Sequence, residues 1–498
     1  MEHAFVVFDV GKTNKKLLVY DGSLQLVTST YDSFPTQWVD GVEVEPLEEI
    51  NRWFLANLAN FAARYPVRAV SVTTHGACFV CVDEFGSLSV PVVSYTHEPA
   101  DGEDLHRAFF DLVGEPNTLQ EETATVELKP LVNPGKLLFF LQRQYPEAFA
   151  RTKRILFYPQ YFAYLLTGEV VADYTYVGCH TYLWDFRNRD WSHVARTLGL
   201  TDVLPERIVP PWEPVGRVKA DLAHELGLAP DTCVAAGIHD SNASILPYLL
   251  EETGDFVLNS TGTWCVAMHP AQEVRFEEGE IGKSVFFNQS AFGMPIKTSI
   301  LSGGLEFETY SELIGGDHVE TEVDPELYTR IVSEKRHFIL PSVLKGAGQF
   351  PSSVPRLIDD GTVYYLEDIR SGAARPALLD DPTTAYAVLN LSLAIQTRIA
   401  LERVGLRDGE KIYVEGGFRN NEAYKALLAG FFPSSETALT TLEQATSFGA
   451  AIVAKAARTG DAVESLADTF DITPRPVEPL IIKGMADYVT AFMQSLER

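Results

Sequence analysis

The run Thr232-Cys-Val-Ala-Ala-Gly-Ile-His239-Asp240-Ser-Asn-Ala-Ser-Ile-Leu-Pro247 decides how the rest of the chain is read. Its first half is a short apolar stretch ending at Gly237 and Ile238. Its second half is apolar and opened by Asp, Ser and Asn, so the whole reads as a buried strand delivering Asp240 to a helix start. Asp is also a favoured N-cap, and capping alone accounts for a carboxylate there. A second role comes from the surroundings. Gly-containing strand–loop–strand elements lie on both sides, one from Ala4 to Asp21 and one from Gly254 to Met268. Such loops can cradle phosphate on backbone N–H groups. A lone carboxylate between two of them suggests phosphoryl transfer to a hydroxyl.

A chain of 498 residues suits two sizeable domains at roughly 100–200 residues each, and 46% hydrophobic residues can fill both cores. The formal charge of −28 argues against nucleic acid or an anionic membrane as partner. Any anionic ligand must then be held by local loops. No apolar run approaches the ~18 residues of a membrane span, and Met1-Glu2-His3 lacks a charged-then-apolar leader layout, so a cytoplasmic protein is expected. The five cysteines, Cys78, Cys81, Cys179, Cys233 and Cys265, are odd in number and scattered, which fits reduced core thiols. Cys78 and Cys81 have redox or zinc spacing, but they sit in a strand-like run where positions three apart face opposite sides.

In the first loop, Gly11 allows close backbone approach, Thr13 and Asn14 add donors, and Lys12 or Lys16 adds charge. Asp9 would suit a phosphate only through a cation, as Mg²⁺ is commonly held near nucleotides. A plain hairpin turn explains the same residues. Glu48 to Tyr65 reads as a helix, followed by strands Arg68 to Val72 and Cys78 to Val82. Between those strands His75 and Gly76 mark a ligand approach or a buried, hydrogen-bonded histidine. Pro134 to Tyr145 and Pro159 to Thr167 read as helices, and Asp173 to Trp191 as an aromatic cluster. Pro205 to Val218, with four prolines, reads as a linker-like approach to the central strand. Thr384 to Val404 is a long helix by its spacing. Lys411 to Val414 is a strand entering the Gly416-Gly417 turn, where bare backbone could meet a flat ring. Ala445 to Ala451 opens a small-residue helix expected to pack beneath that turn.

Taken in order, these pieces resemble the FGGY family of carbohydrate kinases, in the actin-like ATPase superfamily, from about Phe5 to about Ala457. Asp9-x-Gly11-x-Thr13-Asn14-x-Lys16 resembles that family's first phosphate loop and His239-Asp240 its base site. Ser260-Thr261-Gly262-Thr263 resembles the second phosphate loop, and Gly416-Gly417-Phe418-Arg419-Asn420 the adenosine turn. Leu166-Thr-Gly-Glu169, Asp173-Tyr174 and Trp184-Asp185 match connecting patterns.

The resemblance implies an α/β fold of two ribonuclease-H-like domains flanking a catalytic cleft. Residues 1–250 would hold the sugar and the first phosphate loop, and residues 251–498 would hold ATP. It implies Asp240 as base, with Gly11, Lys12, Thr13, Asn14, Lys16, Thr261, Gly262 and Thr263 on the phosphates. Gly416, Gly417, Arg419 and Asn420 would hold adenosine, and His75, Gly76, Tyr95, His97, His239 and Asp240 the sugar. ATP and Mg²⁺ are the implied cofactors, with Mg²⁺ near Asp9 through water, and the partner is a small-molecule sugar; a homodimer stays open. The His-Asp pair and the Ser-Thr-Gly-Thr-Trp loop look more like rhamnulose and fuculose kinases than xylulose, glycerol or gluconate kinases. Three departures bear on this: His97 stands where the family often has Asp, Lys12 where Thr or Ala is usual, and Glu415 at the first Gly of the adenosine turn. A kinase of another ketose, polyol or sugar acid, or a sugar- and nucleotide-binding sensor without turnover, are the competing readings.

Overall fold

The computed structural model describes residues 3–497 except 13, 129–130, 253, 316–322, 345, 347 and 443. Thr13, expected in the first phosphate loop, lies outside the described residues. The N-terminal half builds a mixed sheet from β1 (Ala4–Val10), β2 (Asn14–Asp21), β3 (Leu26–Ser33), β4 (Val67–Thr74), β5 (Pro214–Arg217), β6 (Cys233–Ala235) and β7 (Ile238–His239), in spatial order β5-β6-β4-β1-β2-β3 with β7 also on β4. The hairpin β1–β2 is antiparallel, whereas β4 runs parallel to β1 and to β6. The proline-rich approach is therefore no linker. Pro214–Arg217 pairs antiparallel with Cys233–Ala235 as an edge strand, and an edge position is where a strand tolerates proline.

Alternate residues of β1 face opposite cores. Val6, Phe8 and Val10 point to one side, where α1 (Leu47–Ala62) presents Ile50, Phe54, Leu58 and Phe61 at helical spacing. Phe54 stacks on Phe8 with ring centroids 4.4 Å apart. Phe162 of α2 (Tyr158–Thr167) meets Phe8 edge-on at 4.9 Å, and Gly168 closes that helix in the left-handed conformation expected of a C-terminal glycine. Phe5 and Val7 point to the other side, which is covered by α3 (Asp240–Glu251) and a helix from far along the chain.

The second sheet repeats the first in pattern. Its strands are β8 (Phe256–Thr261), β9 (Cys265–Pro270), β10 (Val285–Gln289), β11 (Pro295–Leu301), β12 (Lys411–Gly416), β13 (Thr437–Leu439) and β14 (Arg475–Pro476), ordered β10-β11-β9-β8-β12-β13-β14. The hairpin β8–β9 is antiparallel and β12 runs parallel to β8, as β4 does to β1. Helices α4 (Gly303–Ile314), α5 (Pro382–Arg403) and α6 (Glu422–Phe431) accompany this sheet. α5 is buried nearly all round, from Thr384 to Leu401.

The small-residue helix α7 (Ala445–Thr459) departs from expectation. It packs against the first sheet and α3, joining Phe448, Ala451 and Ile452 to Phe5, Val7, Leu18, Ala69 and Ile238. The small residues serve a helix–helix contact: a Cβ at Gly449 would lie 1.9 Å from the Ala243 carbonyl oxygen. Among the described residues no helix is long and apolar enough to cross a membrane.

Candidate active site

A cavity of about 360 Å³ opens between the two sheets. Lys12, His75, Gly76 and Asp240 line it from the first sheet's side, and Ser260 to Trp264 and Gly416 from the second. A larger hollow of about 500 Å³, between the acidic segment Glu98–Asp104 and the chain around Leu344 and Pro351, gathers none of the expected groups.

Asp240 is the first residue of α3, and its Oδ1 accepts from its neighbour Ser241, at 2.6 Å from the amide and 3.2 Å from the hydroxyl. Its side chain stays 33% exposed, open to the cavity. Burial raises its carboxyl above the ordinary value, opposed by His75 and then by the Ser241 hydrogen bonds. The preceding residue is anchored from behind: the His239 amide donates to Thr175 Oγ1 at 2.9 Å, and that hydroxyl donates to buried Asp173. His239 itself is buried, pushed down to about 3 by desolvation, with Nε2 3.3 Å from Asp240 Oδ1.

His75 closes the β4 end. Its amide donates to the Val10 carbonyl at 3.1 Å, Nδ1 lies 2.7 Å from the Gly76 carbonyl, and Nε2 is buried without a hydrogen-bond partner. Burial pushes this imidazole down to about 4, with Glu45 and the Gly76 carbonyl opposing. Tyr95 sits edge-on to His75 at 5.3 Å. Gly76 leaves room for two imidazoles: a Cβ there would lie 2.9 Å from His180 Nε2 and 3.1 Å from His239 Nε2, so both rings would have to shift.

The segments expected to hold phosphate and adenosine meet at one point. In the β8–β12 register Thr261 lies opposite Gly416. Gly416 has φ of +83°, and a Cβ there would stand 1.8 Å from the Thr261 carbonyl oxygen, so only glycine makes this approach. Thr261 Oγ1 donates to the Glu415 carbonyl and accepts from the Phe418 amide at 2.9 Å. Its hydroxyl thus binds loop to turn, leaving exposed Gly262 and Thr263 to face the cleft. Glu415 is buried, and its carboxylate accepts from Tyr248 and Thr440, each at 2.5 Å. Arg419 donates to the Thr440 carbonyl at 2.9 Å and to that of Leu442, so it braces the turn. Gly417 and Asn420 are exposed.

Asp9 is the last residue but one of β1, and its carboxylate has no hydrogen bond or ion pair among the described residues. Burial pushes its carboxyl up to about 6, with Lys16 opposing and Asp240 adding to the rise. A half-buried carboxylate with no partner among the described residues is a fitting oxygen ligand for Mg²⁺.

Two comparisons bear on the family. The N-terminal-domain pattern of the FGGY family of carbohydrate kinases matches residues 4–247, and the pattern for carbohydrate kinase FGGY, C-terminal domain, matches residues 253–462. The chain belongs to the FGGY carbohydrate kinases. A rhamnulokinase of Halalkalibacterium halodurans is 26% identical over 39% of this chain and 40% of its own length. An L-fuculokinase of Salmonella typhi is 26% identical over 54% of this chain and 56% of its own. The matched stretches thus span about half the length of these relatives or less. A carbohydrate kinase from Novosphingobium aromaticivorans has a solved structure with a TM-score of 0.78 and 25% identity, covering 99% of this chain and 98% of that one. Its likeness, with those family matches, makes the fold the two-domain actin-like ATPase fold.

Against that family frame, some expected residues sit elsewhere than the cavity wall. His97 is turned away. The tight turn made by its amide on the Ser94 carbonyl at 3.0 Å folds the ring back, where Nδ1 accepts from the Glu43 amide at 3.3 Å and the ring packs on Trp38 and Phe140. Lys12 lines the cavity, but its ammonium is held by Glu45 at 2.7 Å and by Ser94, so its charge is already paired. Gly11, Asn14 and Lys16 stay on the hairpin, off the wall. Conversely, Cys179, expected only as a reduced core thiol, and His180, which was not singled out, line the wall; the only sequence signal for a site there was the aromatic-rich cluster that contains them.

Proposed function

We propose that the chain is an ATP-dependent sugar kinase acting on a terminal hydroxyl of a ketose, with 6-deoxyketohexoses such as L-rhamnulose or L-fuculose as the leading candidates. The observation that carries this reading is the convergence of Asp240, the Gly262–Thr263 loop and the Gly416 turn on one cavity. Asp240 takes the proton as the sugar O–H bond breaks and the oxygen bonds to the γ-phosphorus, and the bond to the departing ADP oxygen breaks with ADP keeping the electron pair. A carboxyl raised by burial yet still open to the cavity suits a base that must hold that proton only briefly. Gly262 and Thr263 offer backbone N–H groups to the phosphates, and the Gly416–Gly417 turn offers bare backbone to the adenosine ring. Neutral His75 and His239, with Tyr95, supply donors and acceptors for uncharged hydroxyls, which favours a neutral sugar over a sugar acid. Mg²⁺, when bound near Asp9, offsets phosphate charge. We place the enzyme in the cytoplasm.

The test is ADP release with Mg²⁺-ATP across ketoses, aldoses, polyols and sugar acids, including L-rhamnulose, L-fuculose and both xylulose enantiomers. One strong ketose responder upholds the reading. ATP binding with sugar-dependent thermal stabilisation but no ADP release from any compound would instead favour a non-catalytic sensor.

A further inference from the structure

The kinase reading leaves Cys179 and His180 without a task, although both stand in the cavity wall. With His239 they form a cluster whose ligand atoms, one from each residue, all lie within 4.8 Å of one another. Cys179 Sγ is 3.3 Å from His239 Nε2. Tetrahedral zinc with Zn–S of about 2.3 Å and Zn–N of about 2.0–2.1 Å puts its ligands roughly 3.5 Å apart, so the cluster needs little closing. Two further observations point to a ligand. The Nε2 atoms of His180 and His239 converge on Gly76, lying 2.9 Å and 3.1 Å from where its Cβ would be. His180 Nδ1 is buried without an aligned hydrogen bond, and its backbone holds φ of +40°, a costly conformation for a residue other than glycine. These residues come from separate elements: Cys179 and His180 follow a short helix, Tyr174–Val177, and His239 ends β7.

We propose that Cys179, His180 and His239 form a site for a thiophilic divalent cation of the zinc class in the acceptor wall of the cavity. One thiolate and two imidazoles select zinc, cobalt or cadmium over Mg²⁺, which prefers oxygen. Binding exchanges the Cys179 S–H bond for an S–metal bond, and the proton leaves to water. Three protein ligands leave one tetrahedral position, and Asp240 Oδ1 is only 3.3 Å from the ligand atom His239 Nε2. A dication there engages His239 and sets positive charge beside the carboxylate that must accept a proton. Turnover falls when the site fills, so zinc acts as an inhibitor distinct from the Mg²⁺ that accompanies ATP. This last consequence rests on the kinase reading; the binding itself does not.

The experiment titrates Co²⁺ into the full-length protein after chelator treatment, followed by absorption. One equivalent per chain, with a near-ultraviolet thiolate-to-cobalt band and intense tetrahedral visible bands, is the expected result. Cys179→Ser should abolish the thiolate band, and His180→Gln should weaken binding by more than the about 10–100-fold that loss of an outer partner costs. Zinc should then inhibit sugar-dependent ADP release in the wild type, and the inhibiting concentration should rise by a similar factor in each variant, each measured against its own rate. Absence of a one-to-one cobalt complex in the wild type overturns the proposal, as does a thiolate band that survives Cys179→Ser; the pair is then an ordinary S–H···N hydrogen bond. If Cys179→Ser does not fold, the wild-type titration and His180→Gln decide. A wild type that binds cobalt as described but releases no ADP with any sugar would fail the kinase reading alone.

Discussion

Gly449→Ala tests the contact between α7 and α3 and, through it, the placement of Asp240. The new methyl would start 1.9 Å from the Ala243 carbonyl oxygen and 2.7 Å from its carbon. Ordinary carbon–oxygen contact is about 3.3–3.6 Å, so the helices must separate by roughly 1.5 Å at that point. Overpacking of this kind costs about 1–3 kcal/mol, and the better helix propensity of Ala over Gly returns about 1 kcal/mol. The net loss of about 0–2 kcal/mol lowers Tm by only a few degrees at the ~2–4 °C per kcal/mol usual for domains of this size. The effect on rate is larger. Ala243 lies in the first turn of the helix that begins with Asp240, so the displacement is carried to the carboxylate, and misplacing a catalytic group by 1 Å costs about 100-fold. The assay compares Tm and the kcat of ADP release with a responding sugar in wild type, Gly449→Ala and Gly22→Ala, whose Cβ would meet nothing within 4 Å. Wild-type kcat and Tm in Gly449→Ala would refute both the contact and its coupling to Asp240.

Asp240→Asn should lower kcat by about 10²–10⁴-fold while leaving ATP binding and Tm near wild type; near-normal turnover in that variant excludes the base role. His97→Asp should leave the order of sugar preferences unchanged and lower Tm, because it sets a second carboxylate beside Glu43; an altered sugar profile at unchanged Tm would return His97 to the pocket. Glu306 is buried with its carboxyl pushed up to about 7 from 4.5, by desolvation above all and against hydrogen bonds from Gln396 and Ser302. The folded state keeps a proton that the unfolded chain has lost between those values, so this group's contribution to stability is complete below pH 4.5 and is lost as pH rises through 7. The loss amounts to about 3 kcal/mol, and Glu306→Gln lacks it. Comparing variant with wild type by chemical unfolding, the variant's relative stability should climb by that order between pH 4.5 and pH 8. A difference that does not change with pH would show that Glu306 titrates normally.

Local patterns in the sequence pointed to the strand into Asp240, both Gly-containing hairpins and the Gly416 turn, because each is written in contiguous residues: an apolar run, a small hydroxyl-rich loop, then a change of period. What the sequence did not show depends on contacts between segments far apart. The small residues of α7 announce a close approach but not its target, and only packing reveals Ala243 as the neighbour of Gly449. His97 shares a short polar run with Tyr95, yet one turn hydrogen bond to Ser94 sends its ring behind the wall. Pro205 to Val218 looked like a linker because proline is rare in strands, and the sheet edge is the exception that admits it. Cys179 and His239 are 60 residues apart and their meeting has no spacing signature. The hydroxyl of Thr261 matched a phosphate donor by motif, but the parallel register with β12 commits it to Glu415 and Phe418.

The seat of α7 also has a consequence for synthesis. When a ribosome has made the strands of the first sheet and α3, the face carrying Phe5, Val7, Leu18, Ala69 and Ile238 still lacks the helix that joins it in one core. That helix ends at Thr459, about 200 residues later, a wait of roughly 10–40 s at about 5–20 residues per second. The first half is thus born with an oily side that only the last fifth of the chain can cover. A nascent chain of this protein is a client for holding chaperones through about two-fifths of its translation, and a stop codon near residue 250 would release an aggregating fragment rather than a smaller working unit.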